Sequence, residues 1–320
     1  MVFFSKKLAV GLFVLSFFFL MQAQAGIVEP IYKQLKDPTT GGQPSTVSMS
    51  ITPDGKKMFV LSHTRNKYYI YDLTTPFDLS TMDVSNRSEV DFVGDDPPSA
   101  SQIKDIEFNN DGTKVFVFGR AGTLHIHNLT TPYDVASISS STAVPDDGLN
   151  YTSAYGTVSR IHGVTFNNDG TKMYLSDGTI TSTDITQVNL STPFDPSSGT
   201  STSNLNTESI TARYTMDLAF DDDGTRLYLS ESNVGVAINY MYVWKLSNPF
   251  ELSSATYVDK WQILGNGNNL SPYAWTFGNN GMKLYIGTED ASTDGDNIIY
   301  EYDLSCPYGI VLCESETSSV

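Results

Sequence analysis

Strand-like stretches follow one another along this chain in a fixed order, and the residues that interrupt them recur at a fixed period. The first stretch of each unit ends on an apolar residue: Ile51, Phe108, Phe166, Phe220 or Phe277. Three positions later lies the turn Asp54-Gly55, Asp111-Gly112, Asp169-Gly170, Asp223-Gly224 or Asn280-Gly281. The glycines are separated by 57, 58, 54 and 57 residues. Glycine accepts the left-handed backbone that a tight hairpin needs, and Asp or Asn suits the positions beside it. A basic, an apolar and an aromatic residue open the second stretch: Lys57-Met58-Phe59, Lys114-Val115-Phe116, Lys172-Met173-Tyr174, Arg226-Leu227-Tyr228 and Lys283-Leu284-Tyr285. A third stretch follows at Tyr68–Leu73, Leu124–Leu129, Thr186–Leu190, Tyr240–Leu246 and Ile298–Leu304. Proline and an aromatic residue then end it, at Pro76-Phe77, Pro132-Tyr133, Pro193-Phe194, Pro249-Phe250 and Pro307-Tyr308. Proline withholds a ladder donor, and the aromatic ring is suited to plug the seam between units. A more variable fourth stretch completes each unit, clearest at Ala255–Leu264.

Four strands per unit with a repeated aromatic motif predict the blades of an all-β, five-bladed β-propeller, each blade a four-stranded antiparallel sheet. The fifth repeat stops near Leu304, whereas Val28–Leu35 is a strand-like segment standing before the first repeat. The ring is therefore expected to close by the N-terminal strand completing the last blade, which also covers two exposed edges. The propeller domain is placed at residues 26–308, with a C-terminal tail at 309–320.

The runs "FNNDGTKMYLS" at Phe166–Ser176 and "VNLSTPFDPSS" at Val188–Ser198 resemble the repeats of the YVTN/lactonase-like propeller superfamily. "YDLTTPFDLSTM" at Tyr71–Met82 is closer still to a repeat found in many environmental bacterial and phage proteins. The resemblance implies the fold across the whole of residues 26–308. It carries no shared catalytic residue, and propellers host enzymes, lectins and docking platforms alike.

The first residues change the picture of where the chain works. Lys6 and Lys7 precede an apolar stretch from Leu8 to Met21, followed by Ala23-Gln24-Ala25. This is the pattern of a secretory signal cleaved near Ala25, and it predicts a secreted or periplasmic protein. The stretch is short for a membrane span, so no membrane insertion of the mature protein is expected. The formal charge of −17 argues against a nucleic-acid partner. Cys306 and Cys313, both near the end of the chain, are expected to form one disulfide in an oxidising compartment.

Candidate chemistry is sparse. There is no phosphate-cradling glycine loop, no HExxH helix and no nucleophile elbow. His125 and His127 alternate on a third strand and read as ordinary strand residues. Asp290, Asp294 and Asp296 form an acidic loop that would suit calcium, though without EF-hand spacing; otherwise no cofactor is implied. Four positions before the strand-end residue the repeats carry Val47, Lys104, His162, Met216 and Tyr273. Two positions earlier stand Ser45, Gln102, Arg160, Tyr214 and Ser271, with Asp105 and Asp217 one step beyond the first set. This irregular ring marks a candidate binding site at the mouth of the central channel, centred on Lys104, Arg160, His162, Tyr214 and Tyr273. Tyr151, Tyr155 and Trp275 add flat amphipathic surface.

Three functions fit these features. The leading one is a non-enzymatic recognition module that binds glycan or protein. The alternative is a lactonase- or hydrolase-type enzyme using Arg160, His162 and Asp105 or Asp217 as an acid–base site. The third is a structural component of a cell envelope or phage particle.

Overall fold

Each hairpin turn is locked from two directions, and this lock explains why two distant sequence markers recur together. The five turn glycines adopt φ between 68° and 75°. The aspartate before four of them accepts a hydrogen bond from the N–H two residues further on, at 2.9–3.1 Å. From the other side comes the aromatic of the Pro-aromatic marker. Phe77, Tyr133, Phe194, Phe250 and Tyr308 are themselves held at φ 55–61°. Each donates its N–H to the C=O of the turn glycine of its own blade at 2.7–2.9 Å. Its ring occupies the space where a glycine Cβ would stand, with ring carbons only 2.3–2.4 Å from that position. Glycine is thus required by backbone angle and by contact at once.

The computed structural model describes residues 30–36, 46–62, 67–91, 103–119, 124–144, 161–177, 184–211, 214–232, 238–265, 268–269, 272–288 and 298–313. Its first strand is β1 (Ile31–Lys36). Blade 1 comprises β2 (Thr46–Ile51), β3 (Lys57–Ser62), β4 (Lys67–Asp72) and β5 (Ser88–Asp91). Blade 2 comprises β6 (Ile103–Phe108), β7 (Lys114–Gly119), β8 (Leu124–Leu129) and β9 (Ile138–Val144). Blade 3 holds β10 (Ile161–Phe166), β11 (Lys172–Asp177), β12 (Asp184–Leu190) and β13 (Gly199–Asn206). Blade 4 holds β14 (Tyr214–Phe220), β15 (Arg226–Ser232), β16 (Tyr240–Leu246) and β17 (Ala255–Gln262). A two-residue hairpin, β18 (Leu264–Gly265) with β19 (Asn268–Asn269), leads to β20 (Pro272–Gly278), β21 (Lys283–Thr288) and β22 (Ile299–Asp303). β1 pairs antiparallel with β22, so blade 5 takes its fourth strand from the other end of the chain, as the repeat pattern predicts.

Apolar side chains from facing blades form the core between them. The strand-end phenylalanines cross four of the five seams, with ring centroids 5.0 Å apart for Phe59–Phe108, 4.8 Å for Phe116–Phe166, 4.5 Å for Tyr174–Phe220 and 5.0 Å for Tyr228–Phe277. Each also meets the marker aromatic of its own blade, as in Phe166–Phe194 at 5.4 Å. Fully buried rings of this kind contribute roughly 1.5–3 kcal/mol each by transfer from water.

Polar ties reinforce three seams. The Tyr174, Tyr228 and Tyr285 hydroxyls donate to the marker carbonyls of Phe250, Tyr308 and Phe77 in the next blade, at 2.6–2.7 Å. A short 3-10 turn follows each marker in blades 1–4, and its first residue is buried. The N–H of that residue is met from the preceding blade at two seams, Leu252 by Gln187 Oε1 at 3.0 Å and Leu79 by Glu301 Oε2 at 2.7 Å. Glu301 also accepts from Lys283 Nζ at 2.5 Å, so one buried carboxylate binds blade 5 to blade 1.

The expected disulfide joins Cys306 and Cys313, which bracket the fifth marker at Tyr308. Ile310 and Val311 inside that loop are buried in the blade 4–blade 5 core. The tail thereby takes the position that a 3-10 turn holds in the other blades.

Candidate functional site

The innermost strands β2, β6, β10, β14 and β20 stand side by side around the axis. Each is hydrogen-bonded on one edge only, so its inward edge presents backbone N–H groups that need acceptors. Two aspartates supply them. Asp105 is 4% exposed and accepts from Ser48 Oγ at 2.6 Å and its neighbour Ile106 N at 2.8 Å through Oδ1. Its Oδ2 accepts from Val164 N of blade 3 at 2.7 Å. Asp217 repeats the device two blades further round, in blade 4, accepting from Leu218 N at 2.8 Å and from Trp275 N of blade 5 at 3.4 Å. At the same strand position blade 3 carries Gly163, where a Cβ would lie 2.7 Å from the Asp217 Cα.

Beyond these residues the channel widens into a cavity of about 230 Å³. Asp105, Glu107, Asp217, Asp221 and Asp222 contribute five carboxyl groups to its lining, together with Trp275, Phe277, Phe250 and Tyr308. Among the described residues no lysine, arginine or histidine lines it. Glu107 is the least committed of the acids: Oε1 accepts from Thr165 Oγ1 at 3.3 Å, and no described residue donates to Oε2. The mouth is braced across blades. Asn110 Nδ2 donates to the Asn168 carbonyl, Asn168 Nδ2 to the Asp222 carbonyl at 2.6 Å, and Tyr308 Oη to Asp222 Oδ1 at 2.5 Å.

Burial and mutual repulsion govern the protonation of these acids. Burial raises Asp105 to about 7 in spite of its three hydrogen bonds. Glu107 is raised well above the usual range by burial and by the Asp105 charge, and Asp217 by burial and by both neighbours. Both oxygens of Asp105 are committed as acceptors, so the shared negative charge settles there. Burial and that charge bias Glu107 and Asp217 toward their protonated forms. Asp221, raised to about 6 by burial, still performs hairpin work, accepting from Arg226 N at 2.9 Å.

The structure divides the predicted site residues into separate places. Asp105 and Asp217 meet in the cavity. Lys104, His162 and Tyr273 do not line it. They sit at a β-bulge common to the inner strands, between Ile103 and Asp105, Ile161 and Gly163, and Pro272 and Ala274. The bulge recurs between Thr46 and Ser48 and between Thr215 and Leu218. The irregular ring of residue types thus coincides with the bulged positions, where side chains are re-aimed. The cavity instead opens toward the Asp-Gly turns, at the other end of the same strands. Arg160, Tyr151, Tyr155, Asp290, Asp294, Asp296 and the Tyr214 side chain lie outside the described residues, as does the segment at 1–25 expected to be a secretory signal. His125 and His127 are buried with parallel rings 6.3 Å apart, opposite Val117 and Val115 in the register. Burial and His125 lower His127 to about 4, which leaves it neutral. Among the described residues no three metal-ligating side chains converge.

Glu107 was not among the sequence candidates. Its signal was present: the equivalent positions carry Ser50, Thr165, Ala219 and Thr276, all small, so a glutamate is the exception.

No protein-family profile matches the chain, and no curated protein matches its sequence. Solved structures are similar to it at low identity. A functionally unknown protein from Desulfotomaculum acetoxidans is 14% identical, over 78% of this chain and 80% of that one, with a TM-score of 0.49. A luciferin-regenerating enzyme is 11% identical over 89% and 98% of the two chains, also at 0.49. A putative 6-phosphogluconolactonase from Bacteroides fragilis is 15% identical over 76% and 66%, at 0.41. At these levels the comparisons carry no function, and the all-β, five-bladed propeller stands on its own strand topology.

Proposed function

We propose that this chain is an exported, non-enzymatic recognition module whose central cavity receives a cationic group of a glycan or protein. The carrying observation is the cavity lining: five carboxyls and six aromatic residues, with no basic side chain among the described residues. Carboxylates pair with an ammonium group, and aromatic faces attract it. A cavity of about 230 Å³ is small beside typical ligand pockets, which favours one side group of a larger ligand, such as an amino sugar or a lysine side chain. An anion would meet only like charge there.

A hydrolytic reading draws less support. Asp105 and Asp217 spend their oxygens on backbone N–H groups. Asp221 accepts from Arg226 N and Asp222 from Tyr308 Oη, so Glu107 is the least committed carboxyl, where two-carboxylate hydrolysis needs a pair.

The test is calorimetric titration with glucosamine oligomers and a lysine-rich peptide, each beside its N-acetylated form. The amines are expected to bind, with affinity rising with pH as the raised acids of the cavity, Asp105 at about 7 among them, release their protons. The acetylated forms are expected not to bind. Glu107→Gln takes away only the ability of one side chain to ionise, at most one charge in a chain of net −17, so a tenfold loss in that variant reports the cavity rather than general attraction. Equal binding of acetylated ligands would refute the proposal.

A further inference from the structure

A second opening lies at the seam between blades 1 and 2, where a groove of about 700 Å³ runs beside Phe59, Ile70, Val90, Pro132, Tyr133 and Val135. The seam between blades 4 and 5 has an opening of only about 220 Å³. One cross-strand pair distinguishes the seams: in blade 4 it is Tyr228 opposite Val243, and the tyrosine hydroxyl reaches the Tyr308 carbonyl of blade 5. In blade 3 that pair is Tyr174 opposite Gln187, and in blade 5 it is Tyr285 opposite Glu301. Each of these two pairs reaches the next blade, the tyrosine giving its O–H to the marker carbonyl and the other side chain accepting the N–H two residues on. In blade 1 the pair is Phe59 opposite Ile70, and neither can do either task.

The groups they would meet remain in blade 2. No described residue donates to the Tyr133 carbonyl or accepts from the Val135 N–H, and Val135 is only 1% exposed. Blade 2 also presents an apolar pair, Phe116 opposite Ile126, to blade 3. There the matching position is Pro196, which has no N–H to satisfy. Val135 keeps its donor. Asp134 between the two groups is extended, at φ −115° and ψ 92°, so the flanking carbonyl and N–H point to one side. The sister seams show which side that is: toward the preceding blade, and here into the groove. The outer wall is also short, since β5 has four residues where β9, β13 and β17 have seven, eight and eight.

We infer that this groove is a docking site for an extended polypeptide segment of a partner protein. One extended residue presents its own N–H and C=O on the same side, which complements the Tyr133 carbonyl and the Val135 N–H as one rung of strand addition. Its apolar side chains would rest on Phe59, Ile70 and Val90. A single acetamide group is a poorer match, because its N–H and C=O point in opposite directions.

The sister seams also supply the test. A random peptide library displayed on phage is selected against the full chain, and the selected peptides are titrated by fluorescence anisotropy. The double variant Phe59→Tyr, Ile70→Gln copies the blade 3 pair and fills the groove from within. Peptide affinity is expected to fall at least tenfold in that variant, and equally when the bridging peptide N–H is methylated. Without any peptide, the variant is expected to melt about 2 °C or more above the parent, because two buried groups gain partners. Failure to select a peptide, binding that survives in the variant, or an unchanged or lower melting temperature would each overturn the inference. So would a dimer of the parent that disappears in the variant, which would assign the groove to a second copy.

Discussion

Gly170→Ala is expected to be costly for two separable reasons, and a double-mutant cycle with Phe194→Ala tells them apart. The backbone at Gly170 has φ 69°, a conformation that costs an L-residue about 1–2 kcal/mol. The added methyl would also stand 2.3–2.6 Å from three carbons of the Phe194 ring, where carbon contacts normally lie near 3.5–4.0 Å. The ring cannot swing away cheaply. Its own N–H is tied to the Gly170 carbonyl at 2.9 Å, and it packs on Phe166 and Phe116. Overpacking of this kind adds about 1–3 kcal/mol, so the single variant should lose roughly 2–5 kcal/mol. Phe194→Ala removes the obstacle but leaves the backbone angle. The double variant should therefore cost about 1–3 kcal/mol less than the sum of the two singles. Equilibrium urea unfolding followed by tryptophan fluorescence measures all three. Additivity within about 0.5 kcal/mol would show that ring and glycine do not compete for the same space, and would refute the lock.

Two further predictions concern the centre and the closure of the ring. The raised acids of the cavity hold protons in the native state that the unfolded chain has already lost. Their stabilisation is complete below the ordinary carboxylate range and is lost as pH rises through their folded values, about 7 for Asp105. Urea midpoints should fall from pH 5 to pH 8, by up to about 1.4 kcal/mol per pH unit for each group, and Glu107→Gln should flatten that fall; an unchanged slope would contradict the assignment. At the closing seam, Glu301→Gln should cost about 1 kcal/mol or less, because Gln187 already performs the same task toward Leu252. Glu301→Ala should cost about 2–3 kcal/mol by leaving the buried Leu79 N–H and the Lys283 ammonium short of an acceptor. Equal losses in differential scanning calorimetry would show that the hydrogen bond to Leu79 is unimportant.

The scaffold was legible because its rules repeat. The Asp-Gly or Asn-Gly turn and the Pro-aromatic marker each recur in all five repeats, and their joint recurrence reflects one contact between a turn and a ring. The channel was harder to read for a specific reason. A bulge sits in every inner strand, and an extra residue breaks the two-residue alternation from which the facing of a side chain is inferred. Lys104 and Asp105 are adjacent in sequence, yet one sits at the bulge and the other clasps two neighbouring blades. Glu107 passed for an ordinary strand residue until the five aligned positions showed what its siblings carry. The groove at Phe59 and Ile70 was invisible for another reason: both are unremarkable strand hydrophobes until their partners across the seam are known.

The pairing of β1 with β22 sets the order in which the molecule can be finished. Ile31 lies opposite Asp303, 272 positions away along the chain. Blades formed from contiguous sequence can assemble as they emerge, whereas the fifth remains an open sheet until both ends are present together. That makes closure a late and slow step. Until it occurs, β22 offers its unpaired edge to any matching strand, including β1 of another molecule. The exchanged pairing would have the same register and the same hydrogen bonds. Protein concentration during refolding therefore selects between a closed monomer and a strand-swapped dimer.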